Sequence, residues 1–244
     1  MGKYFFKPDE IDHQQKKVSF TGQAAHYFIN VLRMRVGQQV TLCDGMCTDY
    51  VAIAEHVSAA KPHSVTFTLL SSSAAQEPPI CITLYQGLPK GDKMDWIIEK
   101  CIEVGVTRII PVCTTRSVAK IKDAGKKAER FARIAESAAS QSMRGIIPQV
   151  SAPVNFEEAL QKLDGLQLVA YENERNHTIK SVLSSRPVQP LSIWIGPEGG
   201  FDESEIQALT NKSALCVSLG SQVLRTETAG LVALAQILCI WDDR

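Results

Sequence analysis

The stretch Leu191-Ser-Ile-Trp-Ile-Gly-Pro-Glu-Gly-Gly-Phe-Asp-Glu-Ser-Glu-Ile206 joins a strand, a bend and a helix start with almost nothing between them. Leu191 to Ile195 is an apolar run of strand length. Glycines at 196, 199 and 200 permit positive φ and let the backbone come close to a ligand, and Pro197 stiffens the bend. Asp202 with Glu205 three residues on is a capping-box pattern that opens a helix. Apolar strands alternating with helices call for a parallel sheet covered on both faces, the α/β class. Read alone, the bend serves equally as a tight strand-to-helix turn.

The same grammar extends in both directions. Toward the C-terminus it gives a strand from Ala214 to Leu219, a turn at Gly220 and a last helix from about Thr228 to Trp241 that is apolar on nearly every side. Such a helix is either a core element or is covered by a second subunit. Toward the N-terminus it gives strands Ile80–Gln86, Arg108–Cys113 and Leu166–Tyr171. A helix follows Gly91, with Asp92 able to cap and Ile97, Ile98, Cys101 and Ile102 facing inward; another runs from about Ala124 to Met143.

Before residue 80 the pattern changes. Lys17–Phe20, Gln39–Leu42, Tyr50–Ile53 and Ser64–Leu69 alternate at period two and are rich in β-branched residues, which suggests a small β-barrel interrupted by one helical piece from Gln23 to Leu32. Ser71-Ser-Ser-Ala-Ala-Gln-Glu-Pro-Pro79 has linker composition. The expected organisation is a barrel over 1–72, a linker over 73–79 and an α/β domain over 80–244.

Composition narrows the function. A chain of 244 residues with 45% apolar side chains carries a sizeable core. No apolar run reaches membrane-spanning length and residues 1–10 lack an export signal, so a cytoplasmic location is expected. Seven cysteines without zinc-site spacing read as small apolar residues in a reducing compartment, and no metal is expected. Net charge is zero, but residues 85–150 carry twelve basic side chains against seven acidic and residues 151–244 carry seven against twelve. The basic middle is suited to a polyanion; the alternative is a solvated helix face formed by Lys120, Lys122, Lys126, Lys127, Arg130 and Arg133.

The bend at 196–200 is neither a dinucleotide fingerprint nor a P-loop. It holds no cation, and Glu198 puts a carboxylate where a phosphate would sit. A neutral nucleoside joined to a cationic sulfonium suits it better. Ser218-Leu-Gly-Ser-Gln-Val-Leu-Arg-Thr-Glu-Thr-Ala229 is a second strand end and helix start, able to wall the same pocket. Arg225 and Glu227 flank Thr226 where a helix N-terminus presents free amides, so they converge on a substrate or, on the plainer reading, form a surface pair beside a helix cap.

Lys90-Gly-Asp-Lys-Met-Asp-Trp-Ile-Ile-Glu-Lys-Cys-Ile-Glu-Val-Gly-Val106, Ile195–Gly200 and Leu219–Ala229, with His26–Arg35 ahead of them, closely resemble the RsmE family, which methylates N3 of a uridine in small-subunit ribosomal RNA. The resemblance spans nearly the whole chain. It implies a SPOUT α/β domain with a C-terminal trefoil knot, a PUA-like RNA-binding barrel at the N-terminus, a homodimer, and S-adenosylmethionine as cofactor. By resemblance the cofactor lies against Tyr171, Glu172, Ile195, Gly196, Pro197, Glu198, Gly199, Gly200, Leu219, Gly220, Val223, Leu224, Thr226, Thr228 and Ala229. The chain departs from the family at Ser221-Gln222, where a bulkier or basic residue is usual, a change that bears on substrate contact.

For catalysis, Arg225 is expected to stabilise charge developing on the uracil oxygens while Glu227 orients it or accepts the N3 proton. RNA phosphates are expected at Arg33, Arg35, Lys90, Lys93, Arg116 and Arg144, with 16S ribosomal RNA in the small subunit as partner. The competing reading is a non-catalytic ribosome-assembly factor that holds RNA and keeps the glycine bends only as turns; binding of S-adenosylmethionine separates the two.

Overall fold

The computed structural model describes residues 2–118 and 123–242, so Lys120 and Lys122 of the basic stretch lie outside the described residues. The chain divides into two compact units, one made of Met1–Glu77 with Ala139–Ile147 and the other of Pro78–Ala138 with Pro148–Arg244. Residues 139–147, which the sequence reading placed in the α/β domain, thus belong with the first unit.

The first unit holds β1 (Lys3–Phe5), β2 (Ile11–Asp12), β3 (Lys17–Thr21), α1 (Gly22–His26), β4 (Gln39–Cys43), β5 (Thr48–Ser58) and β6 (Ser64–Ala74). The sheet order is β1-β4-β5-β6-β3-β2, with β1 parallel to β4 and the other ladders antiparallel. The expected barrel is therefore seen as a sheet whose ladders run in an open path around one apolar core. Period-two alternation sends Val18, Phe20, Val40, Leu42, Ala52, Ala54, Val65 and Phe67 into that core.

Two expectations are corrected here. The helix over 23–32 is only one α-turn, which passes into a π-helical turn at Tyr27–Val31. Phe28 in that turn packs against Phe20 and Phe67, with ring centroids 4.9 and 5.1 Å away. The turn ends at Arg33 in the left-handed region (φ 53), with the Met34 N–H donating to the Phe28 carbonyl. The linker also begins later than its composition suggests, because Ser71, Ser72, Ser73 and Ala74 extend β6 opposite Val51, Tyr50, Asp49 and Thr48. A ladder is made by the backbone, and exposed serines continue it without any apolar period.

The second unit is built on β7 (Ile82–Gly87), β8 (Arg108–Cys113), β9 (Gln149–Val150), β10 (Val154–Asn155), β11 (Leu166–Ala170), β12 (Leu191–Ile195) and β13 (Leu215–Val217). The order is β10-β8-β7-β12-β11-β13 with β9 also on β8, and every pairing is parallel. All five residues of β12 are buried, as a central strand covered on both faces requires. Trp194 stacks on Tyr85 of the neighbouring strand at 4.0 Å, and its indole N–H donates to Gln167 Oε1 at 3.1 Å, so the one polar atom of the ring is satisfied in the core.

The helices are α2 (Lys93–Val104), α3 (Ala124–Gln141, its last turn counted with the first unit), α4 (Phe156–Leu160), α5 (Ile179–Leu183), α6 (Glu203–Asn211) and α7 (Thr226–Trp241). The inward face read for α2 is fully buried: Ile97, Ile98, Cys101 and Ile102. Asp92 occupies the N-cap position of α2 but makes no cap hydrogen bond; Arg130 draws on the carboxylates of Asp92 and Asp95 instead. The capping box of α6 forms as read, with Asp202 and Glu205 bonding reciprocally. Helix α7 packs on α2, α5, β7 and β12 and leaves Ala235 and Cys239 exposed. Among the described residues no helix is long and apolar enough to cross a membrane, and no three His, Cys, Asp or Glu side chains form a metal cluster.

Candidate active site

Three neighbouring strands, β11, β12 and β13, end on the same side of the sheet, because parallel pairing aligns their C-terminal ends. The segments that leave them surround a cavity of about 500 Å³. Its walls are Ala170, Tyr171, Glu172 and Arg175 after β11, Ile195 to Phe201 after β12, Ser218 to Gly220 and Gln222 to Thr226 after β13, then Ala229 of α7 and Lys93 of α2. Every residue that the resemblance set against a cofactor lies on this wall except Thr228, which sits in the first turn of α7 without reaching it.

The bend at 196–200 is closed by the Gly200 N–H donating to the Pro197 carbonyl at 2.9 Å, with Gly200 at φ 68. Glycine is favoured there by that conformation; a β-carbon would also lie 2.9 Å from the Glu172 carboxylate, an exposed side-chain end that can move aside. The second bend is tied down by α7, whose Gln236 amide donates to the Leu219 carbonyl at 2.9 Å. It is also tied to the segment after β11, where the Ser218 N–H donates to the His177 carbonyl at 2.8 Å.

A buried relay joins the two bends. Gln86 at the end of β7 donates to the Thr226 hydroxyl at 2.9 Å, and that hydroxyl donates to the Gly196 carbonyl at 2.6 Å. Thr226 therefore holds the loops together and is not the helix cap, a position taken by Arg225.

The charged side chains of the wall are arranged unlike their expected roles. Lys93, expected at an RNA phosphate, instead lies between two carboxylates, 3.0 Å from Glu198 and 3.2 Å from Glu227. Glu198 also accepts the Lys90 N–H at 3.2 Å. Burial pushes the Glu198 carboxyl upward, but its own backbone N–H, the Lys93 ammonium and the Lys90 N–H outweigh that and hold it below the usual carboxylate range. The Glu227 carboxyl is held low by its own backbone N–H at the start of α7 and then by Lys93. Glu198 and then Glu227 raise Lys93 above its ordinary value. Both carboxylates are thus ionised at neutral pH.

Glu227 was expected to orient Arg225 or to accept the N3 proton; its ion pair is with Lys93 and not with Arg225. Arg225 is exposed on the cavity wall and makes no ion pair within 4 Å among the described residues. Of the other expected RNA contacts, Arg33, Arg35 and Lys90 are exposed. Arg116 donates to the Gly199 carbonyl at 3.2 Å and pairs with Asp202 at 3.3 Å, so it braces the glycine bend. Arg144 is a correction: its side chain is only 6% exposed and its guanidinium is bound to Glu77, so it is not presented to a phosphate.

Sequence reasoning did not assign Lys93, Ala170, Arg175 and Phe201 to the cavity wall, and within the stretch 218–229, read as able to wall the pocket, it did not name Ser218 and Gln222 as cofactor contacts. Phe201 directly follows the glycine bend and Ser218 directly precedes the second, so adjacency to a motif was a usable sign for both. Lys93 had none, since its partners are more than a hundred residues away.

The sequence model of an RNA methyltransferase domain matches residues 76–238, and that of an RNA methyltransferase PUA domain matches residues 20–70. The ribosomal RNA small subunit methyltransferase E of Bacillus subtilis is 37% identical, over 97% of this chain and 96% of its own length. The Synechocystis protein of the same name is 34% identical, over 93% of this chain and 74% of its own. Among solved structures, the Neisseria gonorrhoeae ribosomal RNA small subunit methyltransferase E bound to S-adenosyl methionine superposes with a TM-score of 0.88 at 30% identity, covering 99% of this chain and 98% of that one. A parallel sheet ending in a glycine-walled cavity and this likeness over nearly the full length agree: the chain belongs to the ribosomal RNA small subunit methyltransferase E family.

Proposed function

We propose that this chain transfers a methyl group from S-adenosylmethionine to N3 of a uridine in 16S ribosomal RNA. The observation that carries the reading is the cavity at the ends of β11, β12 and β13, formed by the same two sequence motifs that mark the family. Its wall suits the donor. Backbone at Gly196, Gly199, Gly200 and Gly220 offers amides and carbonyls, Ile195, Pro197, Leu219 and Leu224 offer apolar surface, and Val223 is left 85% exposed at the rim, where a ligand would cover it. When bound, S-adenosylmethionine supplies a methyl group on a cationic sulfur.

The chain's own residues must supply the rest. Uracil N3 carries a proton and is a poor nucleophile until that proton leaves, and the negative charge then spreads onto the ring oxygens. Two cations on this wall, Arg175 and Arg225, have no carboxylate partner within 4 Å among the described residues, and Arg225, next but one to Glu227 in the motif after β13, is assigned to hold that charge. Glu227, ionised in the same helical turn, is assigned the proton. As the new N–C bond forms, the S–C bond breaks and its electron pair stays on sulfur, so the departing proton balances the lost sulfonium charge.

The reading extends to the fold and the assembly. The contacts of Ser218 with His177 and of Thr226 with Gly196 support a knotted SPOUT path for the C-terminal segment. The exposed small residues of α7, Ala235 and Cys239, are consistent with a homodimer built on that helix. Arg33 and Arg35 are assigned to RNA phosphate. The 16S RNA in or entering the small subunit is the proposed partner, and the cytoplasm the proposed location.

Titration calorimetry with S-adenosylmethionine, followed by nucleoside mass spectrometry of 16S RNA incubated with the protein, tests the function. Donor binding and N3-methyluridine are expected; a folded protein that binds no donor would refute it. Arg225→Ala should lower the single-turnover rate by about a hundredfold at saturating RNA and donor. Full retention of the rate would remove Arg225 from catalysis. Sedimentation equilibrium at micromolar concentration should give twice the monomer mass.

A further inference from the structure

Lys93 opens α2, outside both glycine-bearing bends, yet its ammonium meets one carboxylate from each. Glu198 belongs to the bend after β12, and Glu227 to the first turn of α7, which continues the bend after β13. The side chain forms part of the cavity wall. On Glu198 the contact is reinforced from the same segment, since the Lys90 N–H donates to the same oxygen, Oε1, that Lys93 approaches. On Glu227 the oxygen nearest Lys93, Oε2, is buried and has no hydrogen-bond partner, so the ammonium is the charge that answers it.

Two carboxylates drawn to one ammonium would repel each other across the cavity wall if that ammonium were removed. A lysine engaged in this way is not available to a phosphate. Its charge is matched twice, and turning it toward RNA would leave two half-buried anions uncompensated. The rotatable ammonium at the end of a four-carbon stem suits a contact that must span two separate backbones.

We propose that Lys93 is a positioning residue for the methyl donor: with Glu198 and Glu227 it forms an ionic latch that holds the two bends at the spacing the donor needs. The inference rests on the donor-cavity reading above, but it concerns a different residue and has a readout that needs no donor. Hydrogen exchange gives that readout. In Lys93→Met the backbone amides of both bends, 196–200 and 220–227, should exchange at least about threefold faster than in the wild type, while those of β7 and β12 keep their rates.

Calorimetry supplies the second measurement. Lys93→Met should weaken S-adenosylmethionine binding about fivefold, and Lys93→Arg should recover most of that loss, because a guanidinium still reaches both carboxylates. In an E198Q/E227Q background, where no anions remain to be latched, Lys93→Met should cost nothing further. The slope of RNA affinity against salt should be unchanged in Lys93→Met and in Lys93→Arg.

Unchanged exchange in both bends would overturn the latch whatever the donor does. So would additive losses in the double-variant cycle, or wild-type donor affinity accompanied by a salt slope shallower by about one, the mark of a phosphate contact. A wild-type protein that bound no donor would instead refute the donor-cavity reading, and the exchange experiment would still decide whether the latch exists.

Discussion

A guanidinium taken out of water has to be met by an anion, and Arg144 meets Glu77. The Glu77 carboxylate accepts the Arg144 Nε–H at 2.8 and 3.0 Å, the Gly145 N–H at 2.6 Å and the Ile146 N–H at 3.3 Å. Glu77→Gln should therefore cost about 3 kcal/mol, because a buried charge loses its counter-ion. Glu77→Gln combined with Arg144→Met should cost clearly less, since no charge is then left alone and the glutamine oxygen still accepts the Gly145 and Ile146 N–H groups. Urea unfolding followed by circular dichroism measures both, and a single variant no less stable than the double would contradict the argument. The sequence offered Arg144 as one more cation in a basic stretch; its partner stands 67 residues away, and residue type alone does not reveal that distance.

Elements were legible where the cause is local. The α6 capping box and the inward face of α2 were read correctly because period and cap lie within a few residues of each other. The second contact of Glu205, which accepts the Thr115 N–H at 2.8 Å, was not legible, and neither was the loss of the Asp92 cap to Arg130. Gly87 carries the same lesson into the site. The sequence reading noted the glycines at 196, 199 and 200 but not the one across from them at the end of β7. A β-carbon on Gly87 would lie 2.5 Å from the Pro197 nitrogen and 2.9 Å from the Gly196 carbonyl carbon. Backbone atoms cannot rotate aside as a side-chain end can, so Gly87→Ala must push the bend away from β7. Donor affinity should fall at least about tenfold, equivalent to 1.4 kcal/mol. Gly125→Ala in α3, with nothing within 4 Å of its added carbon, should bind the donor as the wild type does. Equal affinities for the two variants in calorimetry would show that the bend does not need its position against β7.

Across the whole molecule, the sequence shows opposite charge surpluses in its middle and last thirds, which first suggests a basic face for RNA. Part of that contrast is instead the outline of the second unit's own ion pairs. Lys93 from the middle meets Glu198 and Glu227 from the end, and Arg116 meets Asp202. A charge already paired within the fold releases few counter-ions when RNA arrives, whereas an exposed unpaired one releases about one per phosphate neutralised. Arg33 and Arg35 of the first unit are exposed and, among the described residues, make no ion pair within 4 Å. The salt dependence of RNA binding should divide along this line. Arg33→Ala and Arg35→Ala should each make the slope of log affinity against log salt shallower by about one, and Arg116→Ala should shift it by much less. Equal changes for all three would mean that the ion pair with Asp202 opens on the RNA and that charge matching within the chain is no guide to the RNA-facing surface.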